Sequence, residues 1–272
     1  MKNIVTFLLF VFTLNGLAQS PWTQKKGKMY TQLSFSTVPS YNTIYGNPDY
    51  TIPRKTSDNT IQIYGEYGVS DKTSLIVSVP FKVVLLKPNA VIDFTDHKST
   101  FGNIEIGIKH NFSNKKWLIS GQFNAEINTS TYHNVSGIRT GYDAWSFTPL
   151  FIIGKSTEKT YLQLFTGITY RTNKYSSNFK IGGEFGWKFG KKFWFATFID
   201  VVKSFDNGTI VLPSANLTTA LYVNNQEYGG FGFKGIYEFS DSFGITAGLG
   251  GAFFANNVAK QAALNVGIYK KF

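Results

Sequence analysis

The chain contains no cysteine, and only two methionines and eight prolines in 272 residues. Without cysteine it is not a disulfide scaffold, and no lipid anchor can be built on a cysteine beside an export-cleavage site. Long apolar runs are missing too. The longest, Ile4 to Leu14, is interrupted by Thr6 and Thr13 and falls short of the roughly 18 apolar residues a membrane helix needs. A polytopic helical membrane protein is therefore excluded. Acidic residues are scarce: 16 Asp and Glu stand against 27 Lys and Arg, a net charge of +11. What is abundant is strand-forming: 43% hydrophobic residues, with 26 Phe, 15 Tyr and 26 Gly. That composition is too apolar and aromatic for a disordered tail, and no Pro/Ser-rich linker divides it. One large domain or one barrel remains.

The first eighteen residues read as an export signal. Met1-Lys2-Asn3 gives a positive start, Ile4 to Leu14 an apolar stretch, and Gly16-Leu17-Ala18 the small residues that a signal peptidase reads, with cleavage after Ala18.

From there on the dominant signal has a period of two, in blocks of about ten residues, the pattern of a strand with one apolar and one polar face. In 73–83, Leu75, Val77, Val79, Phe81 and Val83 alternate with Ser74, Ser78 and Lys82. In 117–128, Trp117, Ile119, Phe123, Ala125 and Ile127 alternate with Ser120, Gln122, Asn124, Glu126 and Asn128. Twelve such blocks are expected: 28–36, 60–69, 73–83, 101–112, 116–128, 144–153, 160–171, 178–189, 193–203, 227–239, 243–254 and 260–272. Short polar turns such as Ser70-Asp71-Lys72, Ser113-Asn114-Lys115 and Ser240-Asp241-Ser242 alternate with longer connections, including Thr37 to Asn59, Val84 to Thr100, Thr129 to Asp143 and Ser204 to Gln226. Ser214 to Val223 is assigned to a folded loop, because one more strand would make the count odd. The expected fold is all-β, a 12-stranded antiparallel up-and-down transmembrane β-barrel over residues 19–272, with both ends in the periplasm of a Gram-negative cell. Strands of ten or more residues suit a hydrocarbon layer of about 25 Å, whereas those of a soluble sandwich are nearer five or six residues.

With the apolar positions facing lipid, the lumen-lining set is Glu66, Lys82, Glu105, Lys109, Glu126, Arg171, Lys180, Glu184, Lys188, Asp200, Lys234 and Glu238. Six acids meet six bases, either as a packed interior of ion pairs and water or as a charged conduit. Aromatic residues beside the turns, among them Phe112, Trp117, Phe189, Phe193, Tyr237, Phe239 and Phe243, sit where a membrane-interface girdle belongs. Phe272 ends the last alternating block and resembles the assembly signal read by the outer-membrane insertion machinery. Pro80, inside the third block, removes a ladder hydrogen bond and marks either a tolerated bulge near the strand end or a break in the wall that could act as a gate. Outer-membrane lipid, lipopolysaccharide and a small-molecule substrate are the expected partners. The bases are too dispersed for a nucleic-acid interface.

The order Glu126-Ile127-Asn128-Thr129-Ser130, Arg139-Thr140-Gly141-Tyr142-Asp143, Gly167-Ile168-Thr169-Tyr170-Arg171 and Gly182-Gly183-Glu184-Phe185-Gly186 resembles the outer-membrane family of the meta-pathway of phenol degradation, relatives of the FadL fatty-acid channels; Gly107-Ile108-Lys109-His110 resembles an upstream strand of that family. The likeness covers roughly residues 100 to 190. It implies a channel or transporter for small hydrophobic or aromatic compounds, captured by the long connections Thr37 to Asn59 and Ser204 to Gln226. One departure stands out: only Gln19 to Gly27 lie between the signal and the first block, too little for a FadL-type hatch.

Catalysis is not expected, nor a cofactor or metal. His97 follows Asp93 and Asp96 in a charged loop, His110 lies on an outward face and His133 in a loop, and none has a serine elbow or metal-spaced partner. A structural or adhesive barrel with a filled lumen is the alternative, and an outer-membrane hydrolase a more distant one. The export reading predicts that the protein recovered from outer membranes begins at Gln19 on amino-terminal sequencing; a chain still beginning at Met1 would remove it.

Overall fold

A polypeptide crossing hydrocarbon must satisfy its backbone N–H and C=O groups internally, and a sheet does so only when its first and last strands meet. In the computed structural model, which describes residues 20–272, they do. The expected signal, residues 1–18, lies outside the described residues. In chain order the strands are β1 (Met29–Tyr45), β2 (Tyr50–Ser70), β3 (Thr73–Leu86), β4 (Asp96–Phe101), β5 (Ile104–Asn114), β6 (Leu118–Ile127), β7 (Ser146–Ser156) and β8 (Thr160–Arg171). They continue as β9 (Asn178–Phe189), β10 (Phe193–Ser204), β11 (Glu227–Ser240), β12 (Phe243–Asn256), β13 (Val258–Ala259) and β14 (Ala263–Lys271), with a single helical turn, α1 (Ser214–Leu217), between β10 and β11. From β1 to β3 and from β5 to β12 each strand pairs antiparallel with the next, β4 and β5 together fill one place beside β3, β12 pairs with β14, which closes on β1, and the short β13 adds to the far end of β1. Leu33 of β1 thus faces Ile63 of β2 on one side and Ile268 of β14 on the other. The result is a closed twelve-stranded barrel.

Side-chain direction follows the period of two. Leu33, Ile63, Leu75, Phe123, Ile199 and Val266 stand exposed on the outer wall, while Gln32, Ser34, Glu66, Ser74, Lys109, Ser120 and Gln122 are buried inside. An apolar exterior around a polar interior inverts a soluble protein and suits a wall bathed in lipid. At a tilt of about 45° even the ten residues of β6 rise about 23 Å, enough for the hydrocarbon layer. On the rim that carries Met29 and Phe272, exposed rings form a belt; Phe239 and Phe243 stack at 5.5 Å, and Trp187 and Phe189 at 5.4 Å.

The twelve expected blocks all form strands, but strand also reaches into the expected loops: β3 and β4 take up the two ends of Val84 to Thr100. Thr37 to Asn59 is mostly strand: β1 runs to Tyr45 and β2 starts at Tyr50, so the hairpin stands well beyond the membrane band. Its outward side chains there, Thr51, Pro53 and Lys55, are water-compatible, whereas Ile61, Ile63, Tyr67 and Val69 lower on β2 are apolar. Its other face buries Val38, Tyr41, Ile44 and Ile52 against Ala220 and Ala263. Ser214 to Val223 is the folded segment expected, made of α1 and turns.

The boundary between apolar and polar outward positions on β2 predicts depth-dependent stability. Ile63→Arg should cost about 2–4 kcal/mol in urea unfolding from liposomes, whereas Thr51→Arg should cost little. Equal effects at both positions would place the lipid band elsewhere.

Candidate functional site

The interior is narrowed at both ends by inward-folded segments and hollow between them. At the rim of the termini, residues 20–28 turn into the barrel ahead of β1. The Ser20 carbonyl accepts from Lys109 Nζ at 3.0 Å, the Pro21 carbonyl accepts from Ser120 Oγ at 2.7 Å, and the Gln24 amide donates to Ser74 Oγ at 2.8 Å. Trp22 stands edge-on to Tyr161, ring centroids 6.3 Å apart. The strand under the crossing chain needs a glycine: a Cβ at Gly68 would lie 2.1 Å from the Lys25 carbonyl oxygen. These few residues thus occupy the inner mouth of the barrel.

At the opposite end the connections 128–145 and 205–226 fold inward and meet. Arg139 donates through Nε to the Asn216 side-chain oxygen, and Thr219 Oγ1 donates to the Gly137 carbonyl at 3.0 Å. Gly137 has φ +74°, and a Cβ there would lie 1.7 Å from the Ala215 carbonyl oxygen, so no side chain fits between these two loops. Beneath them Val84, Leu86, Ile138 and Leu221 form a small apolar cluster. Tyr142 meets Tyr175 and Tyr222 edge-on at 5.2 and 5.3 Å, and the Arg171 guanidinium lies over the Tyr142 ring at 4.1 Å. Burial pushes the Tyr222 hydroxyl up to about 12, against the pull of the neighbouring Lys82 ammonium. The hydroxyl stays protonated, as a donor, at neutral pH.

Between the closures lies a cavity of about 300 Å³, roofed by Tyr41, Tyr142, Ala220, Leu221 and Tyr222 and walled largely by polar side chains. The twelve sequence-derived lumen residues fall into two groups around it. Seven are in ion pairs: Lys109 with Glu66 at 2.9 Å, Lys188 with Glu238 at 2.8 Å, Lys234 with Glu184 at 2.6 Å, and Lys82 with Asp58 at 2.8 Å. Asp58 escaped the sequence reading because Thr37 to Asn59 was assigned to a loop; the inward series Thr60, Gln62, Tyr64, Glu66 extends back to it without a break in parity. The other five make no ion pair among the described residues. Asp200 accepts from the Tyr228 hydroxyl at 3.1 Å, and Arg171 donates to the Ser176 carbonyl at 3.0 Å. Glu105, Glu126 and Lys180 line the cavity.

Pro80 also lines the cavity, and the wall is irregular beside it. β3 pairs with β5 up to Ser78 and with β4 from Phe81; between these registers the neighbouring strand breaks at Gly102-Asn103. The break is pinned by the incoming loop: Thr129 Oγ1 donates to the Gly102 carbonyl at 2.6 Å and Asn103 Nδ2 to the Tyr142 carbonyl at 2.9 Å. The histidines are scattered. His97 is in β4 opposite Leu85, with neighbouring Asp96 committed to Arg54 at 2.5 Å. His110 Nδ1 meets Thr73 Oγ1 at 2.9 Å on the outer wall, and His133 Nδ1 accepts from the Ser136 amide at 3.2 Å in a turn. Among the described residues no group of three or more His, Asp or Glu could hold a metal ion.

No protein-family model matches the chain, and no curated protein matches it in sequence. Solved structures do match. The COG4313 outer membrane channel from Pseudomonas putida F1 superposes with a TM-score of 0.70 at 13% identity, over 96% of this chain and 100% of that one. The translocator domain of the autotransporter NalP from Neisseria meningitidis gives 0.54 at 10% identity, over 91% and 90% of the two chains. The KdgM porin gives 0.50 at 10% identity, over 90% and 99%. At such identities the likeness is one of architecture, and that architecture is the outer-membrane β-barrel of channels and porins.

The Lys109 ammonium, with no exposed surface, holds Glu66 and the Ser20 carbonyl together. Lys109→Met should cost about 3–5 kcal/mol in urea unfolding by leaving Glu66 buried and uncompensated, and adding Glu66→Gln should recover most of the loss. A single variant as stable as wild type would show that the pair is solvated.

Proposed function

We propose that the chain is exported with loss of residues 1–18 and acts in the outer membrane as a channel for small hydrophobic or aromatic compounds. The observation that carries this reading is the hollow mid-lumen, a polar-walled space with an aromatic roof, enclosed by a wall whose outer face is apolar. A barrel with a purely mechanical role gains nothing from such a space, because unfilled interior volume forfeits contacts.

The two closures assign the parts. The connection 205–226, expected as a capture arm, lies folded into the mouth and serves as the outer gate with 128–145; Thr37 to Asn59, expected as its counterpart, is a rigid hairpin flanking that gate. Residues 20–28 serve as the inner gate. Pro80 supplies a third candidate, a side opening at the break between β4 and β5. The phenol meta-pathway resemblance of residues 100–190 supports an aromatic cargo, and Tyr142 and Tyr222 in the roof offer ring faces to it. In this setting lipid surrounds the wall, lipopolysaccharide the outer rim, and Phe272 serves as the assembly signal.

Gly137→Leu and Gly68→Val each insert a side chain where a closure touches its support. In planar bilayers both should raise single-channel conductance above a small wild-type value, and proteoliposomes should take up phenol faster with either. No conductance and no uptake in all three proteins would leave a sealed structural barrel. A disulfide between Phe81→Cys and Phe101→Cys, register partners beside the break, should slow uptake if the wall opens there; unchanged uptake would remove Pro80 as a gate.

A further inference from the structure

The cavity holds charged groups of both signs that, among the described residues, make no contact ion pair, although Lys180 acts at longer range on Glu105 and Asp200. Glu105 and Glu126 are direct register partners on β5 and β6, so two carboxylates face each other across one rung of the ladder. Like charges so placed repel. Glu105 meets the Asn124 amide. Glu126 and Lys180 make no ion pair or side-chain hydrogen bond among the described residues. Further round the wall, on β8 and β9, stand the Arg171 guanidinium, whose buried Nε has no acceptor, and the Lys180 ammonium. All four side chains line the same cavity.

The rest of the interior shows that this is not for want of partners. Lys82, Lys109, Lys188 and Lys234 each find a carboxylate within 2.9 Å. Charged groups withdrawn from bulk water and left uncompensated cost free energy, and natural sequences keep them where a ligand or reaction uses them. The separation of signs specifies the ligand's own charges: a cation for the β5–β6 side and an anion for the β8–β9 side.

We propose that the cavity binds a small zwitterion, its ammonium held between Glu105 and Glu126 and its carboxylate by Lys180 and Arg171. This deepens the channel reading and rests on it for the role of binding in passage. Tyr142 and Tyr222 in the roof accommodate an aromatic side group, so an aromatic amino acid is the natural probe.

The test is equilibrium dialysis of the full barrel in detergent with radiolabelled phenylalanine, phenylethylamine and 3-phenylpropionate, which share a ring and differ in charge. Wild type should retain phenylalanine about tenfold more tightly than either singly charged analogue, the ratio that one lost charged contact of about 1.4 kcal/mol gives. In the double variant Glu105→Gln, Glu126→Gln, phenylalanine should bind no better than 3-phenylpropionate. In Lys180→Met it should bind no better than phenylethylamine. Because each change removes a charge that makes no contact ion pair in the empty barrel, and glutamine at 105 can still meet the Asn124 amide, neither protein should melt below wild type; a lower melting temperature in both would mark the trio as structural and overturn the proposal. Equal retention of all three compounds, retention of none, or the same ranking of the two singly charged analogues in both variants would also overturn it. Conductance by wild type in bilayers separates the outcomes: a conducting barrel without zwitterion preference loses only this site, whereas absence of conductance and phenol uptake removes the channel reading itself.

Discussion

Everything in this molecule depends on the rule that a backbone in hydrocarbon must find its hydrogen bonds within the protein. The registry of β1 against both β2 and β14 meets that rule by removing the sheet's edges. Closure then fixes the fate of every side chain, because successive residues alternate between lipid and lumen. Ile61 and Ile63 go out, and Gln62 and Tyr64 go in. Ionisable groups within the membrane band have only the interior to occupy. The dense set of lumen ion pairs is therefore a consequence of closure before it is an adaptation to transport.

How those charges are satisfied differs along the axis. Near the rim of the termini the barrel borrows acceptors from its own leading segment: the Ser20 carbonyl joins Glu66 on the Lys109 ammonium, and the Pro21 carbonyl takes the Ser120 hydroxyl. At the other rim the folded connections do the same for Arg139, through Asn216. Beside the small apolar cluster of the outer closure, both closures dock through polar contacts, with glycine at the tight crossings Gly68 and Gly137. Contacts of this kind exchange with water on opening at little net cost, because a typical hydrogen bond contributes only about 0.5–1.5 kcal/mol beyond the one water would supply. An apolar plug of the same size would hold far more firmly.

The sequence disclosed what closure dictates and concealed what the ends do. All twelve strand blocks were legible because their outward residues, from Leu75 to Ile268, must be apolar. The upper part of the β1–β2 hairpin was not, since above the lipid band Thr51 and Lys55 face water and the alternation loses its apolar half. Asp58 was lost with it, although the inward parity from Glu66 back through Tyr64, Gln62 and Thr60 leads straight to it. The entry of Ser20 to Gln24 into the lumen had no periodic signal, being made by carbonyls and a proline. Gly102-Asn103 could be read as a turn signal, yet nothing local says that a strand resumes on the same sheet one step later. The family resemblance named a region without locating the cavity, because the cavity is assembled from β1 to β3, β5 to β11, β13 and both inward loops.

Charge distribution carries the synthesis one step further. The lysines at the rim of the termini, Lys25, Lys26, Lys28, Lys72, Lys115, Lys116, Lys155, Lys159, Lys191, Lys192, Lys270 and Lys271, are all exposed. Inside, the twelve sequence-derived charges balance, and Asp58 adds one acid as the partner of Lys82. A strongly basic chain has thus placed its excess where water and lipid headgroups screen it, and has kept the enclosed space near neutrality, as the cost of burying net charge requires. Against that economy Glu105, Glu126 and Lys180 are conspicuous. With Arg171 their charges cancel in sum but not in position, and a cavity neutral in sum and polar in position is complementary to a solute with the same property.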